Sequence, residues 1–218
     1  MHALIIGATG ATGRALLDTL LNDSAFERVS IFVRRPVALE HPKLVVHVID
    51  FEQPHTWQDQ VRGDVLFSCL GTTLKDAGSK EAQWRIDYDY QYRFAQAAKA
   101  NGVPQLLLVS SAYANPASKG FYTRMKGRLE QDVAALGFAS LGIFRPPSLV
   151  RPNTDRTGEK IALRLLNGLN RIGLLRSMQP MPVTELAQAL AVTAKQARPG
   201  VHILEAATIR ALIYSRLT

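Results

Sequence analysis

The chain has 218 residues, 47% of them apolar and 20% charged, with a formal net charge of +8. These proportions suit one well-packed globular domain and exclude disorder or low complexity, and no run approaches the roughly 18 apolar residues of a spanning helix. The arginines and lysines are scattered, with no basic block, finger spacing or RNA-binding aromatic signature, which argues against a nucleic-acid partner and fits a small polyanionic ligand.

In chain order, Ala3 to Ile6 predicts a strand and Thr12 to Leu21 a helix with Leu16, Leu17, Leu20 and Leu21 on one face. Further strands are predicted at residues 29–33, 44–49 and 64–70. A long helix follows from about Lys80 to Asn101, stopped at Asn101-Gly102. Then come a strand at 105–109, a helix from Phe121 to Leu136 closing at Gly137, and a strand at 140–144. The tail predicts helices near Lys160–Leu169 and Val183–Lys195, a short strand at 201–204 and a last helix to about Tyr214. Strands that are apolar throughout are buried on both faces, so this strand–helix alternation predicts an α/β fold with a doubly wound parallel sheet. The expected organisation is a single domain over 1–218, whose part from about 151 forms a small cap on the substrate side.

The first apolar run is short and flows directly into glycines, so if residues 3–6 form a core strand no cleavable leader is expected. Cys69 is the one cysteine, so no internal disulfide forms, and the expected location is the cytoplasm. The five histidines (His2, His41, His47, His55 and His202) show no metal spacing, so no metal is expected. Cys69, Trp57 and Trp84 read as packing residues, as does the series Tyr88, Tyr90, Tyr92, Phe94 and Tyr113, with substrate contact the alternative for Tyr113, just past the serines.

The first strand ends in Gly7-Ala8-Thr9-Gly10-Ala11-Thr12-Gly13. A helix start carries unpaired N–H groups and the positive end of its dipole, and therefore attracts phosphate. Gly7 suits the tight turn, Gly10 lets backbone approach a pyrophosphate, and Gly13 lets helix and strand pack closely. Thr9 and Thr12 offer hydroxyl contacts. Between a strand and a helix, this triplet predicts a dinucleotide site. The second strand ends Phe32-Val33-Arg34-Arg35-Pro36, where an NAD site usually places a carboxylate. Two guanidiniums stand there instead, and arginine grips phosphate bidentately, so the expected cofactor is NADP(H).

The fifth strand ends Val109-Ser110-Ser111, and the helix after it carries Tyr122 and Lys126, four residues apart on one face. An ammonium beside a phenol favours the phenolate, and a phenol tuned this way can pass a proton to a carbonyl oxygen as hydride arrives. Either Ser110 or Ser111 is placed to hold that oxygen.

The stretches "GATGATGR", "FVRRP", "CLGTT", "IDYDY", "LVSSAYAN", "FYTRMKGRLE" and "FRPPSL", in this order, make the chain resemble an atypical short-chain dehydrogenase/reductase, close to the Tat-interacting-protein group. "PMPVTELAQAL" extends the likeness into the tail. The resemblance implies a Rossmann fold with NADP bound, Tyr122 as general acid/base, Lys126 on the nicotinamide ribose, and a serine, Ser111 ahead of Ser110, on the carbonyl oxygen. It also implies Asp50 and Phe51 beside the adenine, Leu70, Gly71 and Thr72 along the ribose wall, and Arg145-Pro146 leading to the nicotinamide. One departure is Asp87, which stands where many relatives carry an asparagine supporting a proton relay. Two functions follow as expectations: an NADP(H)-dependent oxidoreductase of a small carbonyl or alcohol, or a non-catalytic NADP(H)-sensing binding protein. The 80–101 and 121–136 helices are the expected pairing surfaces of a homodimer.

Overall fold

The computed structural model describes residues 1–150 and 179–214. The strands are β1 (His2–Ile6), β2 (Arg28–Val33), β3 (Leu44–Val48), β4 (Val65–Ser68), β5 (Gln105–Val109), β6 (Ser140–Arg145), β7 (Leu149–Val150), β8 (Met181–Pro182) and β9 (Gly200–Glu205). Between them run α1 (Ala11–Leu21), α2 (Leu74–Ala77), α3 (Lys80–Trp84), α4 (Tyr90–Ala100), α5 (Phe121–Ala135), α6 (Val183–Gln196) and α7 (Ala206–Tyr214). The helix expected near Lys160–Leu169 lies outside the described residues.

Seven strands form one parallel sheet in the order β3-β2-β1-β4-β5-β6-β9. Parallel strands need crossovers, and the helices that supply them bury both faces of the sheet. Along β1 the alternation is direct. Ala3 and Ile5 pack with Leu16 and Leu20 of α1 and Leu186 and Leu190 of α6. Leu4 and Ile6 face the other way, onto Phe94 and Ala98 of α4 and Leu129 and Val133 of α5. This is a Rossmann fold, and its strand order reverses between β1 and β4, opening a crevice at their carboxyl ends.

Edge position explains which strands are less buried. β3 is only half-buried, and β9 exposes Val201 and Ile203, because each has one neighbour in the sheet. Of the tail expected to form a cap, β9 extends the sheet and α6 packs on α1, while β8 pairs with β7 and Val183 reaches the crevice.

The long middle helix differs from its expected form. α3 and α4 are joined through a π-helical turn, Arg85–Asp89. Gln83, Asp87 and Gln91, spaced by four, are all buried. Four residues of α-helix overshoot a full turn by about 40°, so a row spaced by four drifts off one face unless a wider turn absorbs the drift. The π turn does so and keeps the polar row pointed at the end of β4, where Ser68 Oγ donates to Gln91 Oε1 at 2.7 Å.

Candidate functional site

The crevice begins at the glycine loop. Gly7 adopts φ +82, and a Cβ there would lie 2.5 Å from the backbone of Cys69. A Cβ on Gly13 would lie 2.1 Å from the Gly7 carbonyl oxygen, so only glycine lets α1 start this close to β1. α1 has no side-chain N-cap bond and no acidic residue in its first turn, which leaves its first amides for an anion.

Two cavities meet over this loop. The larger, about 680 Å³, is lined by Ala11, Thr12, Ser110, Ser111, Tyr122, Lys126 and Pro146, among others. The smaller, about 220 Å³, is lined by Gly7, Phe32, Val33, Arg34, Phe51, Ile86 and Tyr90. Thr9, Gly10, Cys69, Leu70, Gly71 and Thr72 line both. The shape is a two-ended groove bent over a helix N-terminus. At the smaller end Phe51 and Tyr90 stack at 5.2 Å, and the Tyr90 hydroxyl donates to Glu52 at 2.7 Å. Burial, then the Glu52 carboxylate, pushes the Tyr90 phenol up to about 12.

At the larger end, Tyr122 and Lys126 share one face of α5. Tyr122 is 40% exposed at the mouth, whereas Lys126 is buried, its Nζ 6.0 Å from the Tyr122 ring centroid. No hydrogen-bond acceptor for that ammonium is found among the described residues. The two serines differ. Ser110 is buried and donates to Glu130 Oε1, while Ser111 is half-buried and donates to the Ala112 carbonyl at 3.0 Å. Ser110 is therefore committed to a buried carboxylate, and Ser111 is the serine whose hydroxyl is free to turn. Tyr113 follows with φ +63, a left-handed conformation costly for a tyrosine, and stands 67% exposed on the wall of the larger cavity.

Four of the expected residues line neither cavity. Arg35 is exposed beyond Arg34. Asp50 accepts from the Glu52 amide and the Gln53 side chain at 2.9 and 3.0 Å, holding the turn that follows β3. Arg145 grips Glu130 through Nε and Nη2 at 3.1 and 2.6 Å and reaches Glu205 at 3.1 Å, tying the ends of β6 and β9 to α5. Gly13 packs behind the loop.

Glu130 and Gly127 were not singled out in the sequence. Glu130 continues the Tyr122, Lys126 spacing by four more residues, a signal that was present on the same helical face. A Cβ on Gly127 would come within 2.3 Å of the Asn115–Pro116 backbone, so this glycine lets the loop after Ser111 press against α5. Trp57 is fully buried and stacks on Phe94 at 4.9 Å. Burial pushes the Cys69 thiol up to about 12, so it faces the groove as an inert side chain. Among the described residues, no three metal-binding side chains gather, and no helix is long and apolar enough to cross a membrane.

A family model described as NAD(P)H-binding matches residues 7–140, the span that builds both ends of this groove. The chain belongs to that NAD(P)H-binding family. Within it, the chain is an atypical short-chain dehydrogenase/reductase. It is 35% identical over 170 residues to protein HTATIP2 of Rattus norvegicus, covering 76% of this chain and 70% of that protein. It is 36% identical over 163 residues to the mitochondrial protein FMP52 of Saccharomyces cerevisiae, covering 72% and 71%. With the mitochondrial FMP52 of Eremothecium gossypii it shares 33% identity over 221 residues, covering 98% and 97%.

Solved structures share the fold. MoeE5 in complex with UDP-glucuronic acid and NAD superposes with a TM-score of 0.72 at 18% identity, covering 94% of this chain and 75% of that one. The human epimerase family protein SDR39U1 with NADPH gives 0.63 at 15%, covering 94% and 74%. These relatives correct the expected cytoplasmic location, because several are named mitochondrial. The inference rested on one cysteine, which cannot form an internal disulfide in any compartment and so does not discriminate between them.

Proposed function

We propose that this NAD(P)H-binding protein is an NADP(H)-dependent oxidoreductase that moves hydride between the nicotinamide and a small carbonyl or its alcohol. One observation carries the reading: Lys126, the only buried lysine among the described residues, has no hydrogen-bond acceptor among them and shares its cavity with Ser111 and Tyr122, at the far end of a groove that begins beside Arg34. An ammonium on a cavity wall with no protein acceptor is placed to bind ligand hydroxyls, and a ribose supplies them.

In this reading the residues of this chain divide the work. Gly10 to Gly13 present amides to the pyrophosphate, and Phe51 and Tyr90 flank the adenine. Arg34, exposed at the rim, grips a 2′-phosphate, with Arg35 beyond it. Leu70, Gly71 and Thr72 wall the ribose. The bound cofactor supplies the hydride. Lys126 holds the nicotinamide ribose, Tyr122 gives or takes the proton at the substrate oxygen, and Ser111 donates a hydrogen bond to that oxygen. Pro146 borders the same end. The chain acts as one domain, its tail from about 151 bounding the substrate side.

Tyr122→Phe tests the reading. With a carbonyl compound that the wild-type protein reduces, the variant loses turnover by about a hundredfold or more while keeping its NADPH affinity. Retained turnover would overturn the mechanism.

A further inference from the structure

Close to Lys126 lies a carboxyl group whose arrangement is incomplete. Asp87 is fully buried in the π turn between α3 and α4. Its Oδ1 accepts the Thr72 amide at 2.7 Å, and the Gln83 side-chain amide lies beside the same carboxyl while donating to the Thr72 carbonyl at 3.1 Å. Its backbone carbonyl takes Gln91 Nε2 at 2.6 Å. Its Oδ2 has no hydrogen-bond partner, the one buried side-chain polar atom among the described residues in that position. The charged group facing it is Lys126 from α5, and Thr72 and Gln83 face it with N–H donors. Burial holds this carboxyl above the ordinary aspartate range, against the opposing pull of Lys126 and of those two donors.

We propose that Asp87 is a proton-holding positioning residue that binds one proton from solvent at Oδ2 when cofactor fills the groove, and so links cofactor binding to activation of Tyr122. This rests on the groove being an NADP(H) site. Filling it brings in the negative charge of the phosphates, which favours the neutral acid. A neutral Asp87 no longer cancels the Lys126 ammonium. The full charge of that ammonium then acts on the Tyr122 phenol, which lies one turn away on the same face of α5. An asparagine at this position would hold the Thr72 amide equally well but could not change charge.

The sign is definite. If bound Asp87 holds its proton more tightly than free Asp87, affinity is full below the free-state pKa and falls as pH rises toward the bound-state value, by up to about tenfold in Kd per pH unit. NADPH is titrated calorimetrically into wild-type protein and Asp87→Asn, in two buffers of different ionisation heat and at several pH values. The 2′-phosphate of NADPH itself titrates near about pH 6, but it contributes equally to both proteins and cancels in the difference. The expected result is a larger proton uptake per NADPH, and a steeper rise of Kd with pH, in the wild type. Equal proton numbers in the two proteins overturn the role of Asp87 while leaving the cofactor site standing, whereas absence of NADPH binding to the wild type overturns the cofactor reading beneath it. Infrared difference spectra of the wild type alone provide a check that needs no variant. A protonated-carboxyl band should grow on adding NADPH, and its absence from a protein shown to bind NADPH contradicts the proposal.

Discussion

Gly13→Ala tests the glycine loop where the geometry is tightest. The new Cβ would sit 2.1 Å from the Gly7 oxygen, 2.7 Å from its carbonyl carbon and 2.9 Å from the Ala8 Cα, all backbone atoms that no rotamer change can clear. α1 has to retreat by roughly 1 Å before the nearest contact becomes tolerable, in an interior too closely packed to yield freely. Overpacking of this kind costs about 1–3 kcal/mol, offset by about 1 kcal/mol because alanine is the better helix former. The net expectation is a loss of up to about 2 kcal/mol in urea unfolding. Cofactor affinity falls further, at least about tenfold, because the retreat carries the first-turn amides away from the pyrophosphate. Gly10→Ala separates the two effects. Its Cβ would meet only the Gly7 oxygen, at 3.3 Å, so stability changes little while the methyl obstructs the approach of ligand. Calorimetric titration with NADPH beside urea melts reads both quantities. If Gly13→Ala bound NADPH as the wild type does, the loop would not be the phosphate cradle.

Three further outcomes follow from the same geometry. Glu130→Ala strips a buried carboxylate from Ser110 and Arg145 and leaves the guanidinium with the exposed Glu205 alone; urea unfolding should show a loss of about 3 kcal/mol, and a loss under 1 kcal/mol would mean that this network is not structural. In the cofactor-free protein, folded Asp87 holds its proton more tightly than the ordinary aspartate value of 3.8, so its stabilising effect is complete below that value and is lost as pH rises through the raised folded pKa. Unfolding midpoints of Asp87→Asn should lack that decline, and parallel profiles for the two proteins would contradict it. Arg34→Ala should weaken NADPH binding by about ten- to a hundredfold, the worth of a charged hydrogen-bond pair, and leave NADH unchanged, with Arg35→Ala milder. Equal losses for the two nucleotides would place the 2′-phosphate elsewhere.

The parts of this structure that were readable from the amino acids are those in which one local pattern has one physical meaning. Apolar runs such as Leu106-Leu107-Leu108 become central strands because no polar face is available to turn outward. The glycine triplet sits where strand and helix must touch. Residues 64–70 contracted to the four of β4 because Cys69 and Leu70 leave the ladder to wall the groove. The π turn was hidden because the aromatic series Trp84, Tyr88 and Tyr92 fits an ordinary helix face as well, and the rings do stack, at 4.7 and 6.0 Å. The buried polar row on another face, Gln83, Asp87 and Gln91, reads in one dimension as a solvated stripe. Only the fold shows it turned inward. The same holds for Arg145, which the family resemblance set toward the nicotinamide, whereas its partners Glu130 and Glu205 arrive from distant parts of the chain.

The central claim is that the groove over Gly7–Gly13 is built for the phosphorylated nicotinamide nucleotide, and competing titrations of NADPH and NADH into the purified protein at low and high salt address it directly. The account predicts that NADPH binds at least about tenfold more tightly at low salt, and that the gap narrows as salt screens the exposed Arg34. Tighter binding of NADH, or no heat with either nucleotide, would contradict it.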